Sequence, residues 1–202
     1  MLAKDYDCIR STIQEILHRL EVSGLVKRHH QSKWTNVPLD DKRLQAIFDV
    51  RSWLEPQLLA QAIPEIPEDV LHKVIENHQD GLARFPATTG AELNQLELDM
   101  HDRLLQYASN SVAMVALKST KAGLISSKHI VASKEVPLDS TEPFIREHID
   151  ILEAVERRNI DECKLRMQAH LLKSRKKVRD RLRIFRTVVQ DNPAEFLKPW
   201  VT

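Results

Sequence analysis

Glycine is scarce in this chain, with four in 202 residues, while apolar residues recur at steps of three and four over most of its length. Strands and tight barrels need turns, and a chain without them is confined to helices joined by short polar breaks. From Asp40 to Ala62 the series Leu44, Ile47, Phe48, Trp53, Leu54, Leu58, Leu59 and Ala62 forms the stripe of an amphipathic helix. Pro64 and Pro67 end it, and a second helix runs from Pro67 to about Leu82 on Val70, Leu71, Val74 and Ile75. Thr89 with Glu92 is a capping-box pattern ahead of Leu93, Leu96, Met100, Leu104 and Leu105, which predicts a third helix. Ser109-Asn110 ends that helix and caps a fourth, expected from Ser111 to Val131. After a loop at Val136-Pro137 and Asp139-Ser140-Thr141, Pro143 opens a fifth, with Ile145, Ile149, Leu152 and Val155 inward. Arg158-Asn159 breaks before a long last helix, about Asp161 to Val188. The fold class that follows is all-α, an antiparallel helical bundle over residues 40–190 with a tail at 191–202.

Composition narrows the function classes. Lys and Arg number 30 against 29 Asp and Glu, for a net charge of +1, so any nucleic-acid contact must come from a local patch. No apolar run reaches the roughly 18–20 residues of a membrane span, and no basic-then-apolar leader opens the chain, so a cytoplasmic protein with no membrane partner is expected. Cys8 and Cys163 are too few for a disulfide framework.

Residues 1–37 read differently. A short helix around Leu2–Tyr6 and a turn at Asp7-Cys8 precede a helix from about Ile9 to Val22, with Ile13, Ile16, Leu17 and Leu20 on one face. Gly24 closes it, and Leu25 to Arg28 and Lys33 to Val37 form two short extended runs. Helix, turn, helix and two-stranded wing make a partial winged helix-turn-helix. Arg10, Ser11, Thr12 and Gln14 stand near the start of its recognition helix, suited to phosphates and base edges, and Lys33 adds charge on the wing. Residues 9–33 hold five Lys/Arg against two Glu, a modest electrostatic footprint.

The stretch Leu2-Ala3 through Arg10, Glu15, Leu17, Arg19, Leu20, Gly24, Leu25 and Val26 resembles the DNA-binding module of GntR-type bacterial transcription regulators. The remainder resembles the FCD effector domain of the family's FadR branch, carried by Val50-Arg51 with Leu54-Glu55, Glu97-Leu98-Asp99-Met100-His101, Asn110, Glu147-His148 with Ile151-Leu152, and Met167 through Leu171. Ile9, Thr12 and Gln14 depart from the Ser, Pro and Arg usual there, the wing lacks the usual glycines, and the family's helix ahead of Leu2 is not part of this chain. The resemblance implies a ligand-responsive regulator, a homodimer on operator DNA, with binding weakened by those departures.

Glu97 and His101 are four apart on a face continued by Leu93, Leu104 and Ala108. His148 shares a stripe with Ile145, Leu152 and Val155, and His170 with Cys163 and Met167. Each alone reads as a hydrogen-bonded core residue, but burying all of them unpaired would cost several kcal/mol. A divalent metal would satisfy the set: zinc first, with nickel, manganese or iron as alternatives. The resemblance implies the same four ligands, with Glu97 where the family has Asp, and a small carboxylic acid as effector. It places Arg51 at the effector cavity. The residues themselves offer a surface ion pair with Glu55, worth about 0.3–0.5 kcal/mol. Asn110 reads as a helix cap first and an effector contact second, while His29, His30 and His129 read as solvated. The rival reading is a helical-bundle metalloenzyme, but a di-iron site needs two Glu-x-x-His segments and only Glu15 to His18 matches, outside the bundle. A third is a truncated sensor that does not bind DNA.

Overall fold

The computed structural model describes residues 6–30, 33–122, 124 and 141–191. Helix α1 (Arg10–Val22) is followed by strands β1 (Val26–His29) and β2 (Lys33–Asn36), then by α2 (Asp41–Ala62), α3 (Glu68–Ala83), α4 (Gly90–Leu98), α5 (Ser111–Ala122), α6 (Glu142–Glu156) and α7 (Ile160–Asp191). It is an all-α bundle preceded by a partial winged helix-turn-helix. The expected helix at Leu2–Tyr6 lies outside the described residues except for Tyr6, which sits in a turn. Most of the predicted extension of α5 to Val131, the loop through Ser140, His129 and the tail beyond Asp191 also lie outside them.

Local chemistry sets the boundaries. Arg19 and Glu21 begin the close of α1, and Gly24, at φ +68°, completes a left-handed cap. Gly24 N donates to Glu21 O and Leu25 N to Leu20 O, at 2.8 and 2.9 Å, which satisfies two end carbonyls. The strands pair antiparallel with Val26 opposite Asn36 and His29 opposite Lys33. Asp40 caps α2 by accepting from Arg43 N at 2.7 Å, and the Thr89–Glu92 capping box opens α4. Arg158, at φ +53°, ends α6 through the same paired bonds as Gly24 does α1, and Asn159 then caps α7 by accepting from Glu162 N.

α2 and α6 pack along α7, α3 packs on α6, and α5 lies on α2. Leu44, Leu58, Leu59, Met100, Leu104, Leu117, Ile151, Leu152, Met167 and Leu171 fill the centre. Trp53, placed inward by the sequence pattern, is 69% exposed; the helix turns it past the edge of the stripe. The predicted single helix from Thr89 to Leu105 is in fact three segments. α4 ends at Leu98, a π-helical turn covers Asp99–Arg103, and a 3-10 turn covers Leu105–Tyr107. The widened turn leaves the His101 carbonyl to a side chain, and Lys121 takes it while also donating to Asp102 Oδ1 at 2.7 Å.

Candidate metal centre

Three helices and the π turn bring the predicted ligands together. His101 comes from the π turn, His148 from α6 and His170 from α7, and all three are buried. His170 Nε2 lies 3.2 Å from both His101 Nε2 and His148 Nε2. Glu97, in the last turn of α4, reaches the same point from the cavity side. Its Oε2 is 3.8 Å from His101 Nε2 and its Oε1 3.9 Å from His148 Nε2.

The outer ring of hydrogen bonds fixes the tautomers. His101 Nδ1 donates to Glu55 Oε2 at 2.5 Å, and His170 Nδ1 donates to Glu147 Oε2 at 3.1 Å. His78, wholly buried on α3, donates from Nδ1 to the Val74 carbonyl at 2.7 Å. A carbonyl can only accept, so neutral His78 presents a bare Nε2, and His148 Nδ1 donates to it at 3.1 Å. Burial lowers the pKa of all four imidazoles, His148 furthest, which keeps them neutral. With every Nδ1 proton committed outward, the three Nε2 lone pairs and the Glu97 carboxylate face one another. Ser174 Oγ, 3.2 Å from His170 Nε2, can donate to one of these lone pairs.

This donor set fits a divalent cation. Metal–nitrogen bonds of about 2.0–2.1 Å at tetrahedral angles place ligand atoms about 3.3–3.4 Å apart, close to the spacing found. Each histidine already carries the outer partner that metal-ligating imidazoles have. Phe144 covers the site, its ring centroid 4.6 Å from that of His148 and 4.8 Å from that of His170.

Beside the cluster is a cavity of about 100 Å³ lined by Arg51, Glu97, His101, Lys121, Lys177 and Arg181 among others. Arg51 lies in it over the Phe48 ring, 4.9 Å from the centroid, and donates to Glu55. That ion pair is buried on both sides rather than at the surface, so the small exposed-pair magnitude does not apply. Glu55 is held well below the usual carboxylate range against its burial, chiefly by Arg51 and then by His101. Asn110 is not at the cavity. It is exposed and caps α5 by accepting from Ala113 N at 3.0 Å, because the chain turns away from the site after Tyr107. Cys163 is buried in the core with its thiol pushed up to about 11 by burial.

Sequence reasoning missed His78, which continues the stripe of Leu71 and Val74 at the same spacing. It also missed Lys177 and Arg181, hidden in the basic run of α7, and the buried role of Glu55. At the other end of the molecule, Arg10, Ser11, Thr12, Gln14 and Lys33 are all exposed, and no residue of α1 is buried. His29 and His30 are exposed as expected, with His29 Nε2 2.8 Å from Thr35 Oγ1.

Residues 46–173 match the FCD domain family. The chain belongs to the FCD domain family. It is 26% identical over 173 residues to YdhC of Bacillus subtilis, an uncharacterised HTH-type transcriptional regulator, spanning 84% of this chain and 75% of that one. Its fold is similar to that of E. coli McbR/YncC, with a TM-score of 0.72 at 12% identity over 90% of this chain and 85% of the other. Streptococcus agalactiae GntR gives 0.54 at 20% identity over 87% and 86%. The relatives that this chain matches are transcription regulators rather than enzymes. None of its helices among the described residues is long and apolar enough to cross a membrane.

Proposed function

We propose that this FCD regulator is a ligand-responsive, operator-binding homodimer whose helical domain holds one divalent metal and takes a small carboxylic acid beside it. The observation that carries the reading is the convergence of three proton-free Nε2 atoms and the Glu97 carboxylate on one buried point. Glu97, His101, His148 and His170 would hold the metal, zinc in the first instance, with nickel, manganese or iron as alternatives. Bound there, a metal supplies open positions for a carboxylate oxygen, and Arg51 stands in the adjoining cavity as a second contact. Arg10, Ser11, Thr12 and Gln14 would read DNA, and Lys33 would contact phosphate. Response to effector then requires only that the acid favour one arrangement of the dimer and DNA the other.

Elemental analysis of protein purified without an affinity tag tests the metal directly. About one equivalent of transition metal per chain is expected. Chelation should lower the melting temperature by several degrees, since a ligand at a hundredfold excess over Kd adds about 2.7 kcal/mol. His101→Ala should melt lower and no longer respond to chelator. Less than about a tenth of an equivalent, with no stabilisation on adding zinc or nickel, would overturn the reading.

A further inference from the structure

Charge pairing in the cavity is uneven. Arg51 is matched by Glu55, and Lys121 by Asp102. Glu97 faces the histidines. Lys177 and Arg181, one turn apart on α7 and both half-buried, have no carboxylate within ion-pair distance among the described residues. Lys177 Nζ lies 4.1 Å from the centroid of the Phe144 ring, the same ring that covers His148 and His170. Arg181 donates from Nη2 to Thr141 Oγ1 at 3.1 Å, and its Nε is buried with no hydrogen-bond partner among the described residues. Two half-buried cations a turn apart, one with a buried donor unused, cost free energy that a bound anion would recover. Consistent with this, burial and then Arg181 push the Lys177 ammonium down to about 7.

We propose that the cavity takes a small acid with two anionic ends, one carboxylate at the histidine cluster beside Arg51 and a second anionic group held by Lys177 and Arg181. Phe144 forms the floor between the two ends. This deepens, and rests on, the metal-and-carboxylate reading of the same site. A monocarboxylate would fill one end only and leave the α7 cations unmatched. The second group can be a carboxylate or a phosphate, since both accept several charge-assisted hydrogen bonds.

Calorimetric titration of the full chain, zinc-loaded and chelated, with butyrate, succinate, phosphoglycolate and inorganic phosphate tests this. At least one of the acids with two anionic ends is expected to bind zinc-loaded protein about tenfold or more tightly than butyrate. Which of the two binds better identifies the second group. Lys177→Gln and Arg181→Gln should each abolish that preference by weakening the acids with two anionic ends about tenfold or more and butyrate far less, while Lys177→Arg should keep it. The proposal is overturned if butyrate binds as tightly as both of these acids, if none of the four binds, if inorganic phosphate binds as tightly as either, or if the substitutions weaken butyrate equally. Preference for two anionic ends that depends on Lys177 but persists in chelated protein without bound metal supports this proposal and defeats the metal reading. Zinc retained with no such preference defeats this proposal alone.

Discussion

His78 touches no position where a metal would sit, yet it decides which nitrogen of His148 carries the proton. His78→Phe keeps a buried ring and removes the acceptor, so His148 can place its proton on Nε2 and stop acting as a ligand. Zinc affinity, measured by chelator competition, should fall roughly 10–100-fold, as loss of an outer partner does elsewhere. An unchanged affinity in a folded variant would mean that His148 needs no such partner. At this scale Glu97, His101, His148 and His170 were legible because each interrupts an apolar stripe, a purely local signal. Glu55 was legible only as the residue four after Arg51. Its burial comes from the packing of α2 on α7 and the π turn, which no local spacing encodes. Lys177 and Arg181 carry the composition of a solvated face, and only the position of α7 against the cavity sets them apart.

Among the elements, the best-specified boundary is the Gly24 cap. Ala at this φ of +68° would carry the strain of the left-handed region, and its Cβ would stand 3.3 Å from Arg43 Nη2. Gly24→Ala should destabilise the α1–wing unit by about 1–2 kcal/mol. Hydrogen exchange should quicken at the amides of α1 and leave α6 unchanged; equal protection in both would count against the cap. Helix ends were readable from such chemistry, at Asp40, Thr89 and Asn159 as much as at Gly24. The π turn was not. Leu96, Met100 and Leu104 keep a four-residue step through it, so the apolar stripe looks continuous while the backbone widens. What holds it open is distant in sequence: Lys121 on the His101 carbonyl, and Asn77, which donates to the buried Asp99 at 2.9 Å.

For the whole molecule, the proposed dimer should give about 47 kDa by light scattering, twice the 23.3 kDa subunit; a monomer at micromolar concentration would refute it. DNA binding should be weak, salt-sensitive and phosphate-dominated, because Ile9 and Ile16 are exposed and no residue of α1 is fully buried, which leaves the helix weakly braced. A gel shift with nanomolar, single-operator affinity in physiological salt would show that expectation of weakness to be mistaken. The two-part order of the chain was legible, since the change from wing to long amphipathic stripe occurs within a few residues of Asp40. How the parts join was not. Arg43, in the first turn of α2, donates from Nη1 to Val37 O at 3.0 Å and from Nη2 to Gly24 O at 2.5 Å. Both acceptors are main-chain carbonyls, which every amino acid provides. The exposed side chains of α1 can therefore change while the joint to the bundle stays intact, and one helical domain can be inherited beneath many different surfaces.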